Sequence, residues 1–123
     1  MDVQQREWKT LELEREGPVL RVWLNRPERR NALNGVALQE IAELFGALQT
    51  DFETRVVVLG GRGPSFCAGA DRKDPPGIDM RTSGEPGPRE RRWASQLGRR
   101  ATDAILDVEA VTLARVQGHA VGG

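Results

Sequence analysis

Cysteine occurs once in these 123 residues, at Cys67, and histidine once, at His119. A single cysteine excludes an intrachain disulfide, and the two residues together supply too few soft ligands for a zinc centre. Lysine is scarce as well: Lys9 and Lys73 are the only lysines among 18 basic residues. We read that bias as coding preference before function. Neither sign of charge is in excess, since 18 acidic residues balance the bases; no global field recruits nucleic acid or an acidic membrane surface. No apolar run approaches the length of a membrane span, and "MDVQQREWKT" lacks the apolar centre of a signal peptide. These absences lead us to expect a cytoplasmic location, with neither nucleic acid nor membrane as a partner. No internal repeat is visible. The length suits one modest domain, and a composition of 38% hydrophobic and 29% charged residues is ordinary for a globular chain.

What is present reads as an α/β pattern. Residues 10–16, "TLELERE", alternate apolar and polar with the period of a half-buried strand. Gly17-Pro18 marks a turn, and residues 19–25, "VLRVWLN", resume with bulky β-formers, which predicts an antiparallel hairpin. Asn34 stands as an N-cap ahead of Leu38, Ile41, Leu44, Phe45 and Leu48, whose spacing predicts a helix over residues 35–50. The unbroken "RVVVL" that follows suits a parallel strand covered on both faces. Residues 74–90 carry four prolines and three glycines in "DPPGIDMRTSGEPGPRE", so an exposed, flexible loop without regular structure is expected there. Trp93, Leu97, Ala101, Ala104 and Ile105 then share one helical face, and residues 110–116, "AVTLARV", read as a second buried strand.

The chemistry concentrates in "GGRGPSFCAGAD", which leaves the first Val-rich strand. A P-loop needs a lysine after its second glycine, and none is there. The dinucleotide fingerprint needs a third glycine where Phe66 stands. The nucleophile elbow is broken because Cys67 occupies its last glycine position, so Ser65 reads as a turn residue. A backbone role remains: loops ending neighbouring strands can aim bare N–H groups at one point, as an oxyanion hole does. Gly122 and Gly123, if they open a helix, add its positive end. On the residues alone, tight packing of glycine turns explains the same pattern.

Residues 23–34, "WLNRPERRNALN", 65–71, "SFCAGAD", and 116–123, "VQGHAVGG", occur in order and at suitable spacing. Together they resemble the enoyl-CoA hydratase/isomerase, or crotonase, family over nearly the whole chain. The resemblance implies a crotonase-like spiral of ββα units, here as the N-terminal part of a single domain spanning residues 1–123, and assembly as a homotrimer or hexamer. It implies that the backbone N–H groups of Ala70 and Gly123 hold the thioester carbonyl of an acyl-CoA and stabilise an enolate-like oxygen. Arg29, Arg30 and Ala32 match the segment lining the CoA adenine and phosphates. Ala68, Asp71 and Arg72 match the wall around the pantetheine arm and adenine, and Gly122 the glycine run. Coenzyme A thioester is thus the expected substrate, with no separate cofactor.

The chain also departs from the family pattern. Arg72 replaces the usual aliphatic residue, either adding a phosphate contact or facing solvent. "DVEAV" lacks a common proline pair, which affects a turn and not the chemistry. His119 matches a variable position and is expected to pack or to shape the pocket; Cys67 is expected to pack. Asp71 reads as a cap for the next turn rather than a base. The two glutamates of family hydratases would lie after Gly123, so we expect 1–123 to carry the oxyanion donors and part of the CoA cleft, without hydratase activity by themselves. The ending "GHAVGG" likewise suggests a piece of a longer protein. Hydratase chemistry leads this reading; isomerase or other crotonase-type reactions, and a non-catalytic acyl-CoA-binding member, stand as alternatives.

Overall fold

The structure is a computed structural model and describes residues 2–74, 85 and 87–122. Strands β1 (Leu11–Glu16) and β2 (Val19–Leu24) form the hairpin, with Leu11 opposite Leu24 and Leu13 opposite Val22. Gly17 turns the chain at φ +57°, a conformation that costs glycine little. A 3-10 turn at Pro27–Arg29 leads to helix α1 (Gly35–Leu48), and β3 (Val56–Gly61) follows, parallel to β2. Helices α2 (Pro88–Ser95) and α3 (Leu97–Leu106) then lead to β4 (Val111–Ala114), parallel to β3. The sheet order is β1-β2-β3-β4.

The core forms where the apolar stripe of α1 meets the sheet and α3. Leu20, Val22, Leu44, Phe45 and Val57 are almost wholly enclosed, and burial of that size is the main driving force for the fold. Asn34 caps α1 as expected, its side-chain oxygen accepting from Ala37 N at 2.8 Å. Glu40, on the same helix, is buried and accepts from Lys9 N, Thr10 N and Thr10 Oγ1 at 2.9, 2.7 and 2.5 Å. It ties α1 to the residues leading into β1.

Four expectations need correction. β3 is not covered evenly: Val57 is buried, while Val56, Val58 and Leu59 are half-buried. β4 is exposed along all its residues, with Val111 at 58% and Leu113 at 53%. It is an edge strand, and none of the described residues buries it, so its apolar sequence does not translate into burial. The single helical face is two helices, broken at Gln96 (φ −97°, ψ 0°). The break turns Ala94 inward in place of Trp93, which stays half-buried. Finally, Pro88–Glu90 belong to α2 rather than to the loop, because proline fits the first helical turn, where its missing N–H costs nothing. The rest of the expected loop, residues 75–84 and 86, lies outside the described residues.

Candidate functional site

Beyond the ends of β2, β3 and β4 the chain continues as three irregular segments that keep the order of the sheet. Residues 65–71 lie in the middle. On one side Phe66 N donates to Gln117 O at 2.7 Å, Cys67 N to His119 O at 2.9 Å, and Val121 N to Cys67 O at 3.0 Å. On the other side Ala68 N donates to Arg30 O at 3.0 Å, Leu33 N to Gly69 O at 2.8 Å, and Asp71 N to Leu33 O at 2.9 Å. The three separate motifs of the sequence therefore meet as neighbouring backbone segments.

Residues 26–34 reach that position through a costly conformation. Arg30 and Asn31 both sit in the left-handed region, at φ 52° and 57°. Such residues persist where surrounding contacts over-determine them. Asn31 supplies the contacts: it is 1% exposed, its Oδ1 accepts from Arg26 N at 2.8 Å, and its Nδ2 donates to Arg62 O and Ser65 O at 3.0 and 2.8 Å. Nothing in the sequence reading singled out Asn31; its one signal is that asparagine tolerates left-handed backbone better than most residues.

Glycine is required where the middle segment meets the last one. Gly69 has φ +89°, and a Cβ there would stand 2.9 Å from Val121 O. Gly122 has φ +73°, and a Cβ on it would lie 3.2 Å from Gly69 Cα and 4.0 Å from Ala70 N. The backbone of Gly122 and the N–H of Ala70 thus share one small space. Ala70 is exposed, and among the described residues no group accepts from its N–H. Gly123 lies outside the described residues.

Asp71, by contrast, is 2% exposed. Its Oδ2 accepts from Arg26 Nη2 at 3.0 Å, and its Oδ1 from Arg29 Nη2 at 2.5 Å and from the N–H groups of Lys73 and Asp74 at 2.9 and 3.1 Å. Burial by itself would raise its pKa. The hydrogen bonds from Arg29, the Asp74 N–H, Arg26 and the Lys73 N–H outweigh that and hold the carboxyl at about 2. Asp71 does cap the following turn, and its burial leaves it no surface to offer a ligand. Arg26 also donates to the carbonyl of Ala32, which is buried. Arg30 and Arg72 are exposed, and their guanidinium groups have no partner among the described residues. Ala68 is half-buried, its N–H donating to the carbonyl of Arg30.

His119 is exposed and its Nδ1 lies 3.2 Å from Ser65 Oγ, so the expectation that it packs is corrected. The backbone at Gly118 carries the ring out of the core; Ser65 is the buried partner. Cys67 is buried, as expected, and its sulfur accepts from Gly69 N at 3.4 Å. Among the described residues no group of three or more His, Cys, Asp or Glu is placed to hold a metal ion, and no helix is long and apolar enough to cross a membrane. Beside Gly122 opens a cavity of about 230 Å³, walled by Leu38 and Ile41 of α1, Ala101 and Ile105 of α3, and Phe66. Its walls suit an apolar group and offer little to a polar one.

The sequence pattern and the fold recur in known proteins. A family model described as enoyl-CoA hydratase/isomerase matches residues 14–123. The short-chain-enoyl-CoA hydratase of Clostridium acetobutylicum is 37% identical over 112 residues, covering 90% of this chain and 40% of that protein. The mitochondrial Delta(3,5)-Delta(2,4)-dienoyl-CoA isomerase of Mus musculus is 32% identical over 108 residues, covering 85% of this chain and 33% of that protein. Among solved structures, an enoyl-CoA hydratase/carnithine racemase from Magnetospirillum magneticum superposes with a TM-score of 0.77 at 30% identity, over 94% of this chain and 42% of that one. An enoyl-CoA hydratase/isomerase from Marinobacter aquaeolei gives a TM-score of 0.69 at 34% identity, over 89% of this chain and 42% of that one. The chain spans about a third to two-fifths of the length of these relatives.

Proposed function

Because the chain belongs to the enoyl-CoA hydratase/isomerase family, we propose that its three converging segments form the thioester-binding half of an acyl-CoA enzyme, with hydration of a 2,3 double bond as its reaction. One observation carries this reading: the Ala70 N–H has no acceptor among the described residues and its nitrogen lies beside Gly122, which borders an apolar cavity. In a thioester complex the Ala70 N–H and the N–H of Gly123 donate to the carbonyl oxygen. Negative charge builds on that oxygen when water, giving up a proton, adds to C3, or when the neighbouring carbon loses a proton, and it is discharged when that carbon takes a proton. Donors placed there stabilise the transition state more than the bound substrate. A preorganised donor of this kind is worth about 2.7–4 kcal/mol.

The rest of the ligand divides by chemistry. The acyl tail enters the cavity walled by α1 and α3. Arg30 and Arg72, exposed and unpartnered among the described residues, are free to meet the phosphates of CoA. Arg29 is held by Asp71 and reaches a phosphate only with its 32% exposed remainder. Ala32 and Ala68 border the adenine and pantetheine with small side chains, and Asp71 supports that wall from below. No cofactor beyond the thioester is invoked, the acid and base groups come from outside residues 1–123, and the working protein is a trimer or hexamer in the cytoplasm.

A second reading, double-bond isomerisation, is favoured by the similarity to the mouse dienoyl-CoA isomerase. The oxyanion stabilisation is the same in both, so products separate them. The whole protein is incubated with crotonyl-CoA and, separately, with a 3,5-dienoyl-CoA, and the thioesters formed are identified by mass and NMR. Hydration gives a 3-hydroxyacyl-CoA; isomerisation gives a product of unchanged mass with a moved double bond. Absence of turnover, together with no thermal stabilisation by any CoA thioester, overturns both readings.

A further inference from the structure

The direction of the Ala70 N–H is set by groups on a neighbouring segment. A trans peptide holds its C=O and N–H in one plane, pointing in opposite directions, so whatever fixes the Gly69 carbonyl also fixes the Ala70 N–H. Leu33 fixes it, donating to Gly69 O at 2.8 Å and accepting from Asp71 N at 2.9 Å, on either side of residue 70. Leu33 belongs to residues 26–34. The aim therefore depends on how firmly that segment is joined to residues 65–74.

Asp71 makes the join. Arg26 and Arg29, both in the first segment, close on its carboxylate at 3.0 and 2.5 Å, and Arg26 also donates to the carbonyl of Ala32, next to Leu33. Both oxygens are engaged and the side chain is 2% exposed, so Asp71 does not reach a substrate. A buried ion pair is weak evidence for stability in itself, because desolvation offsets much of the attraction. What this one supplies is registry between two loops, one residue away from the donor.

Resting on the reading of Ala70 as an oxyanion donor, we propose that Asp71 is a positioning residue for it. The carboxylate, clamped by Arg26 and Arg29, holds the Gly69–Ala70 peptide against Leu33 and keeps the Ala70 N–H directed at the thioester oxygen. Geometry and simple electrostatics make opposite forecasts here. Removing the negative charge of Asp71 leaves two guanidinium groups uncompensated, which by itself favours a developing oxyanion; loosening the peptide disfavours it.

The test is Asp71→Asn in the whole protein. Asparagine keeps the shape and still accepts from the Lys73 and Asp74 N–H groups, but its neutral oxygen grips the arginines weakly. With crotonyl-CoA as substrate, kcat falls on the order of 10- to 100-fold while KM stays within about twofold. The carbonyl stretch of bound butyryl-CoA, lowered in the parent protein, returns toward its value in solution. A residue with only a structural role lowers the melting temperature without moving that stretch in the folded protein. An equal or higher kcat with the lowered stretch intact overturns the proposal and leaves the Ala70 reading standing. A parent protein that binds butyryl-CoA without lowering the stretch overturns the Ala70 reading, and this proposal with it. Where Asp71→Asn does not fold, Arg26→Gln leaves Arg29 on the carboxylate and is measured in the same way. It is expected to move kcat and the stretch in the same directions by less, and no movement in either overturns the proposal.

Discussion

The two flanks of the middle segment, residues 65–71, each carry three backbone hydrogen bonds and differ in the side chains around them. Toward residues 26–34 buried polar side chains reinforce the backbone bonds: Asn31 is bonded on both ends of its amide, and Asp71 lies between two arginines. Toward β4 and the residues after it, apolar side chains stand open, with Val111, Leu113, Val116 and Val121 all more than half exposed. Hydrogen bonds and ion pairs specify angles, whereas apolar burial specifies mainly volume. The flank beside the Ala70 N–H is the one where buried side-chain hydrogen bonds and ion pairs add to the backbone ones.

The largest way to break that contrast is at Asn31. Replacing it by alanine strands the Arg26 N–H and the carbonyls of Arg62 and Ser65, and leaves a Cβ residue at positive φ. The cost is on the order of 3 kcal/mol, with Asn31→Gly less damaging by about 1 kcal/mol because glycine accepts the backbone angle. On the open flank, Val111→Thr changes stability by no more than about 0.5 kcal/mol. Chemical denaturation of the three variants checks both halves. Equal, small losses at Asn31 and Val111 would remove the distinction.

A smaller effect sharpens the same comparison through pH. The Asp71 carboxyl is held at about 2 in the fold against an ordinary value of 3.8. The unfolded chain therefore takes up the proton first, so ionised Asp71 stabilises the fold above pH about 4, and that contribution is lost as pH falls toward about 2. Asp51 and Glu12 are also lowered, so the parent alone does not isolate Asp71. The stability difference between parent and Asp71→Asn does: it is constant near neutrality and shrinks below pH about 4. A difference that stays constant to pH 2.5 would mean that the carboxylate is not held by the arginines.

Elements set by local pattern were legible in the sequence. The hairpin followed from alternation around Gly17-Pro18, and α1 from Asn34 and the stripe of Leu38, Ile41, Leu44 and Phe45. The family, too, could be read, because three motifs in register constrain more than any one does. What escaped was set by contacts distant in sequence. Glu40 looks like a solvent-facing helix residue until Thr10 is placed against it, 30 positions earlier. Asp71 could be read as a turn cap from its own neighbourhood, but Arg26 and Arg29 lie 45 and 42 positions away. β4 reads as buried because Val and Leu say what a strand can pack against, not whether anything packs there. The break at Gln96 rests on one backbone angle, which no periodicity records.

The smallest effect on stability separates the cavity from both flanks. Gly98 lies in the first turn of α3 and borders the cavity, and a Cβ placed on it meets no atom within 4 Å. A helix gains nothing from glycine, which is about 1 kcal/mol less favourable than alanine in an interior and somewhat less unfavourable in a first turn. Gly98→Ala is accordingly neutral or slightly stabilising, and Gly98→Leu folds as well as the parent. If the cavity takes the acyl tail, the leucine side chain occupies part of it, and the loss falls on chain length rather than on chemistry. Turnover of a decenoyl-CoA drops on the order of 10-fold relative to crotonyl-CoA, roughly what a few displaced methylenes are worth. The test compares kcat/KM for the two thioesters in parent and variant. Equal losses on both would move the tail out of this cavity while leaving the Ala70 and Asp71 arrangement untouched, because the hydrogen bonds that hold Asp71 come from residues 26, 29, 73 and 74 and none from α3.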